Sequence, residues 1–161
     1  DSDRDRWFTA EEAWLNRFPD DNDSVHLRLF PDIPEDWPND ELAAKWATVR
    51  RLPRVVTGAL EIERQEKRIG SSLQADPVVH ADDGYIQALE GLDLAELMIT
   101  SAATLTKDEP KGDAFTLDDV AGVSVTPGLA QGSKCDRCWK LLPDVGEEAL
   151  CGRCTDAGAA G

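Results

Sequence analysis

Apolar residues recur in the middle of the chain at Leu42, Trp46, Val49, Leu52, Val56 and Leu60, in steps of three and four. That spacing keeps one face of a helix apolar and predicts a long amphipathic helix from Asn39 or Asp40 to a stop at Gly70. Pro53 lies inside it and has no backbone hydrogen to donate, so one bent helix or two abutting ones are expected. Upstream, Thr9 and Glu12 have the spacing of a capping box and open a shorter helix that ends before Pro19. Residues 19–40 hold Pro19, Pro31, Pro34 and Pro38 among many acidic residues and read as an extended connection. It carries a strand-like piece at 25–30, with Trp37 placed to anchor it.

After Gly70 the period changes. Leu73, Ala75, Val78 and Val79 suggest a strand interrupted by Pro77, which suits the edge of a sheet. Residues 84–90 suggest a short helix, 94–103 a buried strand and 123–126 a half-exposed one. Residues 106–112 form a polar turn region, and 127–133 a linker into a cysteine-bearing tail. The class expected is α+β in three parts: a helical segment at 1–70, a small α+β unit at 71–130 and the tail at 131–157.

With 161 residues and 41% hydrophobic content, modest cores are within reach. No apolar run approaches the roughly 20 residues of a membrane span. The first six residues alternate charges where a signal peptide is apolar, so a cytosolic chain without membrane contact is expected. The net charge of -15 would disfavour nucleic acid if it were spread evenly. It is not: the net is -8 over residues 1–40, +3 over 41–68, -9 over 69–133 and zero over 134–154. The basic helix and the neutral tail can therefore meet phosphates with the acidic remainder turned away. The plainer account is that bacterial-type cytosolic proteins are often acidic.

The tail reads Cys135-Asp136-Arg137-Cys138, twelve residues, then Cys151-Gly152-Arg153-Cys154. Each C-x-x-C pair turns two sulfurs toward one point, and two such knuckles complete the tetrahedral four-sulfur shell that Zn2+ prefers. Gly152 suits a turn that demands a backbone only glycine adopts cheaply. Four thiolates leave no position for water, so the site is structural. Two disulfides would need an oxidising compartment, and a thioredoxin-like role would need a single pair opening a helix. Iron takes the same ligands, but nothing else here suggests electron transfer.

Arg50, Arg54, Arg64 and Arg68 fall on one line of the long helix, away from its apolar stripe, flanked by Arg51 and Lys67. One reading is a row of phosphate contacts on a structured RNA. The competing one is a solvated face in which Glu61, Glu63 and Glu66 pair with nearby bases. His26 and His80 have no metal-ligand or acid–base spacing, and no catalytic constellation or phosphate loop is found.

Taken in order, FTAEEAW at 8–14, ALEIERQEKRIGSSL at 59–73, KCDRCWK at 134–140 and CGRC at 151–154 resemble the C-terminal third of bacterial isoleucyl-tRNA synthetases. The likeness covers nearly the whole chain. The cysteine segment with Trp139 is its most specific part, and the first helix is shared among related class I synthetases. The resemblance implies that 1–70 ends a helical anticodon-binding domain, 71–130 is an α+β junction unit and 131–157 is a four-cysteine zinc ribbon or knuckle. It implies a tRNA-positioning part of a ligase whose whole enzyme uses ATP to attach isoleucine to tRNA-Ile. The partners implied are tRNA-Ile and the parent's catalytic domain, in a cytoplasmic monomer that binds no DNA. The tRNA contacts implied are Arg50, Arg54, Arg64 and Arg68, with Lys134, Arg137, Lys140 and Arg153 in the tail. Zn2+ is the one cofactor of this region. ATP belongs to the whole enzyme, because His-Ile-Gly-His and Lys-Met-Ser-Lys-Ser do not occur here. The family carries an apolar helix before its Phe-Thr segment, and this chain has a charged run at 1–7 instead, so an incomplete anticodon bundle is expected there. The alternative from another class is a zinc-ribbon adaptor for protein, or the zinc finger of a DNA-repair glycosylase.

Overall fold

The computed structural model describes residues 10–20, 29 and 34–159. Thr9, with its capping box, and the charged run at 1–7 lie outside the described residues, as does the strand-like piece at 25–30 apart from Leu29. The chain divides into two compact units, 1–39 and 40–161. In the first, α1 (Ala10–Arg17) is continued by a bond from the Phe18 N–H to the Trp14 carbonyl, with the two rings 4.5 Å apart. Trp37 is 71% exposed, so the anchoring expected of it is not seen among the described residues.

The second unit opens with the long amphipathic pattern, which forms two abutting helices, α2 (Asp40–Val49) and α3 (Leu52–Gln65). They part at Arg50 and Arg51, which places Pro53 in the first turn of α3, where a missing N–H costs nothing. Val49, Leu52, Val56 and Leu60 are buried as the stripe requires, whereas Leu42 at its start is 49% exposed. The helix does not run on to Gly70. Lys67 takes a left-handed backbone at φ 60°, and Arg68 N–H reaches back to the Glu63 carbonyl, closing a Schellman turn three residues earlier.

A three-stranded sheet follows, in the order β2–β1–β3. β1 (Val78–Ala81) pairs parallel with β2 (Thr104–Thr106) and antiparallel with β3 (Val123–Thr126). The strand expected at an edge is thus the central one. Pro77 stands just ahead of it and spoils no ladder bond, while its carbonyl accepts from Thr104 N–H. The parallel step needs a crossover, supplied by α4 (Asp83–Leu89) and α5 (Leu94–Met98).

Residues 94–103, expected as a strand, therefore begin as a helix. The Asp93 carboxylate caps it by accepting Glu96 N–H at 3.0 Å, and Ile99 at φ 55° ends it. Leu94, Leu97 and Met98 point one way at helical spacing, a pattern that a short apolar run shares with a buried strand.

Val55, Val56 and Ala59 of α3 pack on Val79, Val123 and Val125 of the sheet, with Tyr85, Leu89 and Met98 closing one core. The boundary expected between residues 70 and 71 falls within it. The stretch expected as a linker is also held: Ala75 and Leu129 form a bridge, and Ala130 N–H donates to the Gln74 carbonyl. Beyond it, β4 (Ser133–Lys134) and β5 (Leu141–Leu142) make a short hairpin, and α6 (Gly152–Ala159) ends the described residues. Among the described residues the architecture is mixed α/β with two small sheets and a four-cysteine cluster.

Candidate metal centre

The first knuckle lies between the strands of the β4–β5 hairpin. Cys135 N–H donates to the Lys140 carbonyl and Trp139 N–H to the Cys135 carbonyl, both at 2.9 Å, with Trp139 left-handed at φ 66°. The second opens α6, where the Cys151 carbonyl accepts from Cys154 N–H at 2.9 Å and from Thr155 N–H at 3.0 Å. The knuckles are joined by Asp136 N–H donating to the Ala149 carbonyl at 2.9 Å and Cys151 N–H to Cys135 Sγ at 3.5 Å, and by the Arg137 guanidinium.

Gly152 is not among the residues with positive φ; Trp139 and Ala149 hold those positions in the knuckles. What Gly152 provides is closeness. Its N–H donates to Asp144 Oδ2 at 2.9 Å, and a Cβ there would sit 3.2 Å from that oxygen.

The four sulfurs lie within 4.8 Å of one another, and Cys138 and Cys151 are 3.8 Å apart. A tetrahedron with Zn–S bonds of about 2.3 Å has edges of about 3.8 Å, so the spacing fits. It is far beyond a disulfide, and all four cysteines are free. Cys135, Cys151 and Cys154 are buried, with Leu142, Val145 and Leu150 packed around them in a small core of their own.

Two of the sulfurs are driven in opposite directions. Backbone N–H groups, first that of Cys138 and then that of Cys151, pull the Cys135 thiol down to about 6. Burial, and then the neighbouring sulfurs, push Cys154 up to about 12. Four thiolates this close need a cation between them, and a dication with soft-ligand affinity meets that need.

The basic residues fare differently from one another. Arg64 makes a two-pronged contact with Glu61 at 2.7 and 2.8 Å, Arg68 holds Glu63 and Glu66, and Arg54 meets Asp119 at 2.7 Å. These contacts hold the Glu61, Glu63 and Asp119 carboxyls below the ordinary range, chiefly through the arginine hydrogen bonds. Arg50 sits in the turn between α2 and α3 and Arg68 lies past the end of α3, so the expected line is helical only in its middle. Arg50 makes no ion pair among the described residues. In the tail, Arg137 Nη1 donates to the Cys154 carbonyl at 3.1 Å, and Lys134 Nζ is 5.5 Å from the centroid of the 60%-exposed Trp139 ring. Lys140 and Arg153 both turn to Glu96 on α5, at 2.8 and 3.0 Å.

Glu96, Ser101 and Asp144 escape a reading of the sequence because they lie 39, 34 and 7 positions before the nearest following knuckle, with no motif marking them. Both His80 ring nitrogens have partners, the Asp108 carbonyl at 2.7 Å and Thr126 Oγ1 at 3.1 Å.

Residues 132–157 match a family model described as a zinc finger found in FPG and IleRS. This match and the four-cysteine cluster support one structural zinc. Over 142 residues, 88% of its length, the chain is 56% identical to an isoleucine–tRNA ligase of Agrobacterium fabrum. It is 51% identical over the same length to those of Bartonella henselae and Caulobacter vibrioides. The chain is a homologue of isoleucine–tRNA ligases. It spans 14–15% of the length of these relatives. Among the described residues, no helix is long and apolar enough to cross a membrane.

Proposed function

We propose that this chain is the tRNA-positioning C-terminal portion of an isoleucine–tRNA ligase, with Cys135, Cys138, Cys151 and Cys154 as the four zinc ligands. The whole enzyme, a cytoplasmic monomer, uses ATP to join isoleucine to tRNA-Ile, and this portion works beside its catalytic domain. The observation that carries the reading is 51–56% identity to the ligases over 88% of the chain, beside a four-sulfur cluster in the structure.

Bound zinc supplies a cross-link between the two knuckles and no open coordination position. The chain's own residues do the rest. Arg50 and Lys134 are the best placed to meet phosphates directly. Arg54, Arg64 and Arg68 are each held by a carboxylate that must be displaced first and so contribute less, and Arg137 contributes from a guanidinium already held by the Cys154 carbonyl. Lys140 and Arg153 contribute by fixing the tail. Binding energy gathered here places the acceptor end of the tRNA at a distant site, so it acts through orientation.

The test is titration of labelled tRNA-Ile, with an unrelated tRNA as control, into the zinc-loaded chain at two salt concentrations. Salt-sensitive binding that prefers tRNA-Ile is expected. Binding of neither tRNA at low salt would instead favour a protein-binding role for the zinc module.

A further inference from the structure

The zinc module and the α/β body have separate apolar cores: the cluster around Cys135, Cys151 and Cys154 is distinct from the one around Val79 and Val125. Between them lies a cleft of about 210 Å³ bordered by Glu96, Ser101, Lys140 and Arg153. Apolar packing therefore does little to fix the angle between the two parts. Besides the chain entry at Ala130, polar contacts join them among the described residues. Ser101 Oγ accepts Leu141 N–H at 2.7 Å and donates to the Leu73 carbonyl at 2.6 Å. Glu96 Oε1 takes Lys140 Nζ and Arg153 Nη1.

The two cations that meet Glu96 come from different knuckles. Lys140 is the residue whose carbonyl accepts Cys135 N–H, so it belongs to the first knuckle's own bonding. Arg153 lies between Cys151 and Cys154 in the second. One carboxylate on α5 thus grips both halves of the metal centre from outside. The Lys140 side chain is only 13% exposed, so its stem is packed in place and its ammonium is less free to find another partner than that of a surface lysine.

We infer that Glu96 is a positioning residue: it sets the orientation of the whole zinc module on the α/β body and touches neither metal nor tRNA. The inference rests on the proposed tRNA role for its functional consequence, but its structural part stands apart from that role. A tail whose cations are to meet phosphates at a fixed distance from α3 needs a fixed angle, and a single carboxylate shared by two knuckles supplies it.

The test compares the zinc-loaded full chain with Glu96→Ala, with Glu96→Lys, and with Glu96→Lys combined with Lys140→Glu. Three quantities are read: zinc content, amide exchange at Leu141 and Cys135, and tRNA-Ile affinity. In Glu96→Ala, one zinc and slow exchange at Cys135 are expected to remain. Exchange at Leu141 should quicken, and tRNA binding should weaken, each by about fivefold, the scale of one partly screened ion pair. Glu96→Lys should be worse, and the charge swap should restore both toward wild type. Unchanged Leu141 exchange in Glu96→Ala overturns the inference, as does loss of zinc from that variant or failure of the swap to recover. If the wild-type chain binds no tRNA, the proposed function falls, while the exchange measurement still decides whether Glu96 holds the module.

Discussion

The Phe115 ring lies against Gly58 in the middle of α3, so close that a Cβ at Gly58 would stand 2.6 Å from Phe115 Cε1. Glycine inside a helix costs roughly 0.5–1 kcal/mol relative to alanine, and here the cost is offset by letting the ring sit on the helix. Phe115 cannot move away freely, because its backbone pairs with Val125 at the edge of the sheet. Gly58→Ala is expected to lower stability by about 1–2 kcal/mol, the overpacking penalty outweighing the better helix propensity. Thermal unfolding reads this directly, and a raised melting temperature would show that the ring yields without cost.

Cys138 and Cys151 sit at the edge length of a zinc–thiolate tetrahedron. Zinc should bind one to one. Stripping it should release the small core around Leu142, Val145 and Leu150 while the Val79–Val125 core stays protected from exchange. Cys138→Ser should weaken zinc by more than the 10–100-fold typical of losing a supporting contact. Because Cys154 lies near 12 without metal, uptake at pH 7 must expel its proton, so affinity falls as the pH falls. Calorimetry in two buffers of different ionisation heat counts that proton, and an identical heat in both would contradict the assignment.

How far these features are legible in the sequence depends on whether their cause is local. The stripe Val49, Leu52, Val56, Leu60 and the paired C-x-x-C knuckles are written at short range, and both appear where expected. The helix stops earlier than expected because Lys67 does without glycine what Gly70 was expected to do. β1 is central where an edge strand was expected, because Pro77 precedes the ladder and takes no part in it. Leu94, Leu97 and Met98 satisfy strand and helix alike, and only the Asp93 cap decides between them. The grip of Glu96 on Lys140 spans 44 residues, a pairing visible only once the fold has formed.

Arg54 and Asp119 meet across 65 residues, joining α3 to the segment before β3. The Asp119 carboxyl is held low, first by the Arg54 hydrogen bond. A carboxylate with a depressed folded value contributes stability above its unfolded value, about 3.9, and loses it as the pH falls through the lower folded one. The contribution should therefore be fully present at pH 5 and fade only at lower pH. NMR titration of the Asp119 carboxyl should give a midpoint below 3.9 that rises toward it in Arg54→Ala. Equal midpoints in the two proteins would mean that the pair does not persist in solution.

The cations proposed to meet tRNA differ in what they must give up, and salt dependence separates them. Arg50 has no ion-pair partner to lose among the described residues, and Lys134 leaves only the face of Trp139. Arg64 must break a two-pronged contact with Glu61 before it can serve a phosphate. Each lost phosphate contact should flatten the slope of log affinity against log salt by about 0.7–0.9. Arg50→Ala and Lys134→Ala should each show that change, and Arg64→Ala much less. If Arg64→Ala flattens the slope as much as the other two, Glu61 releases its arginine when RNA arrives. The exposed middle of α3 would then be a phosphate-binding row held shut by its own carboxylates until the nucleic acid displaces them.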